Sequence, residues 1–320
     1  MRLDHRDPVP TDLRGAIVAL GNFDGFHRGH QAVVGDAIAW AKIERRPAIV
    51  ATFSPHPIRH FVPDAPPFRL SSLEQREDWF TAAGADAMLV FHFDDAFAEL
   101  TPEAFVALLG KHIGAGGVVT GGDFTFGKNR GGDIAMLRDL GAGYAMQVRT
   151  TQPVLDHGAP VSSTRIRTAL KAGDCAEATR LLTRPFAIRA VVEHGDKVGR
   201  TLGYPTANLS MRGFLRPRYG IYAVTGHLPN GRVLKGAANL GVRPTFDPPK
   251  ELLEPYFFDF SESLYGQEIE VALHHFIRPE AKFDSLAALK TQMDADCDEA
   301  RRLLGRYVPT PWGPDTRMRQ

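Results

Sequence analysis

Residues 21–30, with the sequence GNFDGFHRGH, constrain the fold of this chain more than any other segment. They follow an apolar run at 16–20 that contains the branched residues of a buried strand. They precede residues 31–41, where apolar side chains recur at helical spacing. The segment is therefore predicted to be the corner between a strand and a helix. Its glycines permit a tight turn and a close approach of the backbone to a ligand.

Such a corner suits an anion. In an open α/β sheet it lies at the carboxyl end of a strand, where ligands bind, and the N–H groups and dipole of the helix start favour negative charge. His27 and His30, three residues apart, are expected to face the ligand together. A lone His-x-x-His spacing is more often incidental or metal-ligating, and glycine-rich corners are common, so only their combination indicates a phosphate site.

Strands and helices are predicted to alternate through the first half of the chain. Apolar runs at 47–53, 87–91 and 118–120 indicate further strands. A Ser-x-x-Glu capping box at 71–74 and a Thr-Pro-Glu sequence at 101–103 are typical helix starts. This alternation predicts an α/β domain with a doubly wound parallel sheet.

The composition is that of an ordinary globular protein, with 43% hydrophobic and 23% charged residues. With 38 Lys and Arg against 37 Asp and Glu, the net charge of +1 provides no broad attraction for nucleic acid or an acidic membrane. We expect small-molecule substrates, with no nucleic-acid partner and no membrane association. Cys175 and Cys297 are too few for a disulfide framework, and no apolar signal segment begins the sequence, so a cytoplasmic location is expected.

The pattern G-x-F-D-G-x-H-x-G-H resembles the signature of the HxGH nucleotidyltransferases. This version is similar to the FAD synthetase half of the bacterial bifunctional riboflavin kinase/FAD synthetase family. The resemblance implies that His27 and His30 are catalytic. It also implies that ATP and its phosphates are bound by Gly21, Phe23, Asp24, Gly25, His27 and His30.

Residues 121–133 form a glycine-rich segment that resembles the family sequence G-x-D-F-x-F-G. It is not a Walker loop, because Asn129 rather than Ser or Thr follows Lys128. The resemblance implies that flavin or nucleotide is bound by Asp123, Phe124 and Phe126. The alternative is a solvated loop whose two phenylalanines fold into the core.

Residues 161–167, with the sequence VSSTRIR, begin another predicted helix. Hydroxyl groups, helix N–H groups and guanidinium groups together suit a polyphosphate, whereas ordinary N-capping needs only one hydroxyl. The segment is similar to the S-S-T-x-I-R element of the family. The resemblance implies that the ATP triphosphate is bound by Ser162, Ser163, Thr164 and Arg167.

In the second half of the chain the pattern changes to strands and turns. Runs at 186–192, 220–224, 252–260 and 268–276, with a Pro-Asn-Gly hairpin signal at 229–231, predict a small, mostly antiparallel barrel. Ser285 is expected to cap a terminal helix. The apolar stripe of that helix contains Leu286, Leu289, Met293, Cys297, Ala300 and Leu304.

Residues 195–208 resemble the riboflavin kinase signature G-R-x-L-G-F-P-T-A-N-L, with Tyr204 in place of the usual phenylalanine. The resemblance implies that kinase nucleotide and Mg2+ are bound by Gly199, Arg200, Gly203, Pro205, Thr206 and Asn208. Thr206 and Asn208 are the implied metal ligands, and their oxygens suit a hard cation. Residues 239–245 and 278–283 match two further segments of the family.

A kinase that acts on a neutral alcohol needs a base near the attacking oxygen. Glu254, before a Phe-x-Asp-Phe sequence, corresponds to the base of the family. Pro255 and Tyr256 follow it, where the family usually has a small residue and histidine, and a proline inside a strand removes a ladder donor. Glu251 is the second candidate, and the alternative for either carboxylate is an exposed strand position.

These resemblances predict an enzyme that uses ATP and Mg2+ in two reactions. Riboflavin is phosphorylated to FMN by a kinase domain at 185–308, and FMN is adenylylated to FAD, with release of pyrophosphate, by a domain at 1–184. Residues 309–320 are expected to be a flexible tail. Two alternatives stay open at this point: an HxGH adenylyltransferase for another phosphate, and a flavin-binding regulator with inactive sites. The sequence leaves the oligomeric state unknown.

Overall fold

The computed structural model describes most of the chain, namely residues 1–194, 203–243, 250–305 and 307. Within these residues, no helix has both the length and the apolar composition that crossing a bilayer requires. The predicted tail at 309–320 lies outside the described residues.

The described residues form two compact units. The first contains Met1–Ala65 and Leu73–Ser162, and the second contains Pro66–Ser72 and the described residues from Ser163 onward. The domain boundary expected between residues 184 and 185 stays a prediction.

A six-stranded parallel sheet forms the centre of the first unit. Its strands are β1 (Arg2–Asp4), β2 (Ile17–Leu20), β3 (Ala48–Ser54), β4 (Ala87–His92), β5 (Gly117–Gly121) and β6 (Gln147–Thr151). They lie in the order β1-β4-β3-β2-β5-β6, and every neighbouring pair is parallel. A two-stranded hairpin follows, made of β7 (Leu155–Asp156) and β8 (Ala159–Pro160).

Helices cover both faces of this sheet. They are α1 (Arg28–Glu44), α2 (Pro57–Phe61), α3 (Leu73–Ala83), α4 (Asp95–Ala98), α5 (Pro102–Ala107) and α6 (Ile134–Ala142). Because side chains alternate along a strand, the neighbours Ile17 and Val18 enter different cores. One core lies between the sheet and α1 and α3, and the other lies between the sheet and α4 to α6. The predicted doubly wound α/β fold is confirmed.

Two helices differ from their predicted bounds. The first begins at Arg28 rather than Gln31, because His27 caps it and its Nδ1 accepts the N–H of His30 at 3.4 Å. The helix predicted over 104–111 ends at Ala107 and continues as a π-helical segment, Leu108–Ile113.

The second unit contains a closed six-stranded barrel. Its strands are β9 (Phe186–Glu193), β10 (Asn208–Ser210), β11 (Gly220–His227), β12 (Val233–Arg243), β13 (Lys250–Phe257) and β14 (Glu268–Arg278). Around the barrel they lie in the order β10-β13-β12-β11-β14-β9, and all pairs are antiparallel. The predicted antiparallel barrel is confirmed.

Three helices belong to this unit: α7 (Ser163–Ala172), α8 (Cys175–Leu182) and α9 (Leu286–Leu304). The terminal helix α9 begins after Ser285, whose hydroxyl accepts the N–H of Ala288. It packs on the outer face of the barrel, where Cys297 and Ala300 contact the cluster that contains Ala237. The predicted terminal helix is therefore confirmed.

The apolar stripe of α9 is shorter than predicted. Leu286 is 69% exposed, so its assignment to the packed stripe is wrong, whereas Cys297, Ala300 and Leu304 are buried. The first turns of α9 extend past the packed face, and the buried contact begins near Met293. A carboxylate fixes the middle of the helix, because Asp296 accepts two hydrogen bonds from the guanidinium of Arg278 at 2.8 and 2.6 Å.

Two half-buried histidines share one hydroxyl on the barrel. Thr225 Oγ1 lies 2.9 Å from His274 Nε2 and 3.3 Å from His227 Nε2, and the ring of Tyr307 packs edge-on against His274. Burial lowers the pKa of both His227 and His274 to about 4. Neutral imidazoles are therefore part of the folded state.

We expect the barrel to lose stability in mild acid because of this pair. As the pH falls below about 6.5, the unfolded chain binds protons that the folded histidines do not bind. The free energy of unfolding should therefore fall by a few kcal/mol and level off near pH 4. Urea denaturation between pH 7 and pH 4 measures this loss. His274→Gln should reduce it, and the exposed-site variant His112→Gln should leave it unchanged; equal losses in all three proteins would contradict the assignment.

Candidate active sites

The corner after β2 has the tight backbone that its glycines indicate. Phe23, Gly25 and Phe26 all have positive φ angles, of 50°, 83° and 43°. Two of these are bulky residues that rarely adopt such angles, so the surrounding structure must stabilise the turn. Both phenylalanine rings provide this stabilisation, because they are buried and pack edge-on against Phe80 of α3.

The two motif imidazoles lie against each other at the start of α1. The ring centroids of His27 and His30 are 3.6 Å apart, with an angle of 20° between the ring planes. Phe23 contacts His30 edge-on at 5.3 Å and so fixes one side of the pair. The two imidazoles therefore lie together, whereas their contact with a ligand stays a prediction.

Gly29 leaves room for this arrangement. A Cβ atom at this position would lie 3.2 Å from the ring of His27 and 3.4 Å from the carbonyl oxygen of Val161. The glycine in H-x-G-H therefore permits close packing of the capping imidazole. It also lets the chain just before Ser162 approach the start of α1.

A buried arginine, Arg76 of α3, holds the corner from behind. Its Nη1 donates to the carbonyl oxygen of Asn22 at 3.0 Å and to Thr52 Oγ1 at 2.8 Å. The hydroxyl of Thr52 in turn donates to the same Asn22 oxygen at 2.8 Å. Arg76 was not predicted from the sequence, because its only signal is an arginine one turn before the buried Trp79 and Phe80.

The three predicted ligand-binding residues of the glycine-rich loop after β5 differ in their exposure. Asp123 is exposed and Phe124 is half-buried, whereas Phe126 is buried in the core beside Phe105. The two loop phenylalanines stack with their centroids 5.9 Å apart. For Phe126 the structure matches the core alternative, because its ring is covered and can act on a ligand only by supporting Phe124.

The predicted triphosphate-binding segment lies at the start of α7. Ser162 and Ser163 are half-buried and Thr164 is exposed. Arg167 Nε donates to the carbonyl oxygen of Phe68 at 2.9 Å. Arg165 forms an ion pair with Glu177 of α8, in which its Nε lies 2.7 Å from the carboxylate. The two arginines therefore make different contacts: Arg165 joins α7 to α8, whereas Arg167 contacts the backbone of Phe68.

The register of the barrel places three polar residues in one row. Asn239 of β12 lies directly opposite Glu254 of β13. On the other side, Leu209 pairs with Leu253 and the N–H of Ala207 donates to the carbonyl oxygen of Pro255, so the register between these two contacts puts Asn208 opposite Glu254. Directly opposite residues share one face of a sheet, with Cβ atoms about 4.5–5.5 Å apart. Asn208 and Glu254, predicted from separate motifs, are thus brought together.

Pro255 is accommodated without loss of barrel closure. Its carbonyl oxygen accepts the N–H of Ala207 at 2.9 Å. Since the N–H and C=O positions of one strand residue point the same way, the missing donor also faces β10, whose ladder with β13 is short. The pairing of β13 with β12 runs through this position unbroken.

Glu251, the second candidate for the base, is held in place by hydrogen bonds within the barrel domain. Its carboxylate accepts hydrogen bonds from Arg216 Nε, at 2.6 Å, and from the hydroxyl of Tyr219. Burial by itself would raise the pKa of Glu251, but these two bonds lower it below its ordinary value. Glu251 lies three positions from Glu254 on the same strand, so its side chain also points to the opposite face of the sheet.

The hydroxyl of Tyr204, which the phenylalanine of the family signature lacks, makes a specific contact in this structure. Its hydroxyl donates to the carboxylate of Asp294 on α9, and its ring contacts Tyr256 edge-on at 5.1 Å. Burial, with the hydrogen bond to Asp294, raises the pKa of the Tyr204 hydroxyl well above its usual value. The extra oxygen joins the signature segment to the terminal helix.

The implied kinase ligands are only partly within the described structure. Thr206 is half-buried and Asn208 is buried, two positions apart beside β13, whereas Gly199 and Arg200 lie outside the described residues. Among the residues that the structure describes, no group of three or more His, Cys, Asp and Glu side chains could hold a metal. Two oxygen donors fit a Mg2+ ion whose remaining ligands are phosphate and water oxygens.

Comparison with known protein families gives two matches along the chain. A family described as FAD synthetase matches residues 9–165, and a family described as riboflavin kinase matches residues 182–304. The two matched segments are consecutive and together cover most of the chain.

Individual proteins are similar over nearly the full length. A bifunctional riboflavin kinase/FMN adenylyltransferase of Escherichia coli is 38% identical over 92% of this chain and 95% of its own length. A protein of the same name from Bacillus subtilis is 36% identical over 92% and 94%. A crystal structure named as a macrolide-efflux protein from Streptococcus pneumoniae superposes with a TM-score of 0.83 and 31% identity, covering 96% of this chain and 99% of that one.

The hydrogen bond from Tyr204 to Asp294 should stabilise the packing of α9 on the barrel. We expect Tyr204→Phe to lower the local opening free energy by about 1 kcal/mol, which corresponds to roughly fivefold faster amide exchange in α9. Hydrogen exchange followed by mass spectrometry measures it. Tyr144→Phe, at a more exposed ring, is the matched control, and equal exchange in Tyr204→Phe and the unaltered protein would contradict the role of the hydroxyl.

Proposed function

This chain belongs to the family of bifunctional riboflavin kinase/FMN adenylyltransferases, and on that premise we propose which of its residues carry the two reactions. The riboflavin kinase domain transfers a phosphoryl group from ATP to riboflavin and yields FMN. The FAD synthetase domain transfers the adenylyl group of a second ATP to FMN and yields FAD and pyrophosphate. The second domain of the chain therefore acts first. The division between residues 184 and 185 is compatible with the matches at 9–165 and 182–304, since it lies three residues inside the start of the second match.

In the kinase domain, Glu254 accepts the proton of the ribityl 5'-hydroxyl while that oxygen attacks the γ-phosphorus of ATP. The observation that carries this assignment is the register that brings Glu254 opposite Asn208 of the Pro-Thr-Ala-Asn sequence. The proposed base, Glu254, and the proposed phosphate-binding residue, Asn208, then act at the same place in the barrel. The engagement of Glu251 with Arg216 and Tyr219 favours Glu254 as the base.

Thr206 and Asn208 hold Mg2+ and the ATP phosphates. The donor set supports this, because a hydroxyl and an amide oxygen supply two ligands and the phosphates supply others. When bound, Mg2+ neutralises negative charge on the phosphoryl groups. Gly199, Arg200, Gly203 and Pro205 belong to the same nucleotide loop.

The adenylyltransferase domain needs no base, because the FMN phosphate is already an anion at neutral pH. Its residues position the two substrates in line and neutralise charge on the reacting phosphates. His27 and His30 act on the transferring and leaving phosphates, and the stacked imidazoles at a helix start support this role. Ser162, Ser163, Thr164 and Arg167 bind the triphosphate.

Flavin or nucleotide is bound in the same domain by Asp123 and Phe124, with Phe126 supporting the ring of Phe124. The exposure of Asp123 and the partial exposure of Phe124 support this division. Gly21, Phe23, Asp24 and Gly25 complete the nucleotide corner. Rigid support from Arg76 keeps that corner in place.

The two activities should separate by mutation. His30→Ala should lower FAD formation from FMN by about 100-fold, because it removes a stabilising group for phosphate charge, and should leave FMN formation from riboflavin unchanged. Glu254→Gln should lower FMN formation by about 100-fold or more, because it removes the base, and should leave FAD formation unchanged when FMN is supplied. Chromatographic separation of the flavins measures both rates.

Exposed residues of the same type provide the controls. His112→Ala and Glu262→Gln should retain both activities. Loss of both activities in one folded variant, either His30→Ala or Glu254→Gln, would rule out separate sites. No turnover by the unaltered protein with riboflavin, ATP and Mg2+ would instead favour a flavin-binding regulator.

The metal role of Thr206 has its own test. Thr206→Ala should raise the Mg2+ concentration for half-maximal FMN formation by about tenfold or more, since a ligand oxygen is lost. Thr206→Ser keeps the hydroxyl and should restore most of the affinity. The measurement is a Mg2+ titration of kinase turnover, and an unchanged Mg2+ dependence in Thr206→Ala would remove the metal role.

A further inference from the structure

The side-chain amide of Asn239, on strand β12 of the barrel, has surroundings that suit the binding of a ligand. Asn239 lies directly opposite Glu254 in the β12–β13 ladder, so both side chains project from the same face. The other cross-strand neighbour of Glu254 is Asn208. Asn239 is thus the second polar side chain next to the proposed base.

The two ends of this amide have different surroundings. Asn239 Nδ2 donates to Glu280 Oε1 at 3.4 Å. Asn239 Oδ1 is buried and has no hydrogen-bond partner among the residues that the structure describes. Buried acceptors of this kind are rare in folded proteins, because leaving one unpaired is unfavourable. A ligand that brings a donor to Oδ1 would remove the penalty.

Neighbouring residues orient the amide. Gly241 lies two positions further along β12, and a Cβ atom there would be 2.1 Å from Glu280 Oε1. The glycine therefore makes room for the Glu280 carboxylate beside the strand. Because a carboxylate only accepts hydrogen bonds, it takes the NH2 end of Asn239 and leaves the oxygen end for a donor.

The chemistry of the oxygen end selects the ligand group. Oδ1 can only accept a hydrogen bond, and a neutral amide has no net attraction for a phosphate anion. The matching group is a hydroxyl. In the reaction proposed above, Glu254 takes the proton of one hydroxyl of a polyol chain, so a residue opposite Glu254 is in position to meet the adjacent hydroxyl of that chain.

We infer that Asn239 binds the ribityl chain of riboflavin, with Oδ1 accepting a hydrogen bond from the 4'-hydroxyl, next to the 5'-hydroxyl that is phosphorylated. This inference rests on the proposed kinase function. Access requires only a small change, because Asn239 as a residue is partly exposed and its bond to Glu280 is at the long end of the normal range. A small shift of the amide that keeps Nδ2 beside Glu280 presents Oδ1 to the ligand.

The contact would position the reacting oxygen and contribute to specificity. A hydroxyl held beside the 5'-carbon limits rotation of the chain end, which favours the in-line approach to the γ-phosphorus. Substrates without the 4'-hydroxyl would leave the Asn239 oxygen unpaired and bind less well. Asn239 is therefore a substrate-binding residue, and Glu280 positions it.

The test compares two substrates and three proteins. The unaltered chain, Asn239→Ala and the similarly shaped Asn239→Leu are assayed for kcat/KM with riboflavin and with 4'-deoxyriboflavin. With riboflavin, both variants should be about tenfold slower than the unaltered protein. With 4'-deoxyriboflavin, all three proteins should be equal, because the hydroxyl that Asn239 recognises is absent.

Controls separate this inference from the proposed function and from misfolding. FAD formation from FMN by the same variants reports on the integrity of the chain, and Val191→Ala, at an exposed barrel position, should match the unaltered protein throughout. If the unaltered protein phosphorylates riboflavin but the Asn239 variants keep full kcat/KM, the inference is overturned. It is also overturned if the variants lose equally with both substrates. If the unaltered protein does not phosphorylate riboflavin, the proposed function itself fails.

Discussion

The pairing of backbone N–H and C=O groups between strands decides which side chains of this protein can meet. Each ladder has one register that satisfies its hydrogen bonds and buries its apolar face, and a shift by one residue would turn every side chain to the opposite face. In the barrel this register aligns Asn208, Glu254 and Asn239 across three strands. In the parallel sheet it brings the ends of β2 and β3 together, so that Thr52 can contact the corner after β2.

The two candidate sites use this constraint differently. At the nucleotide corner, the backbone leaves the sheet and adopts positive φ angles, and buried groups behind it, above all Arg76 and the ring of Phe80, hold that conformation. In the barrel the side chains proposed to act in catalysis stay on paired strands, and their spacing is set by the ladder. Pro255 is tolerated next to Glu254 because its missing donor faces the short ladder of β10.

Local sequence patterns predicted the structural features that depend only on residues close together in the chain. The strand before residue 21, the cap at Ser285 and the change from parallel sheet to antiparallel barrel follow from apolar periodicity, turn residues and resemblance. One prediction failed where burial depends on a distant segment, because Leu286 continues the apolar stripe of α9 but extends beyond the barrel. Phe126 is covered by Phe105, and its part in ligand binding stays a prediction.

The sequence alone determined the alternation of strands and helices in the first half of the chain, the change to barrel strands in the second half and the residue types of both candidate sites, because these follow from local backbone preferences and from recognisable motifs. Only the tertiary structure decided that Asn239 lies opposite Glu254, that Arg76 holds Asn22, and that Tyr204 reaches Asp294. Those contacts join residues separated by 15, 54 and 90 positions in the chain. They exist because closing the barrel and covering the sheet bring distant segments into hydrogen-bond range, which no local pattern of residues can specify.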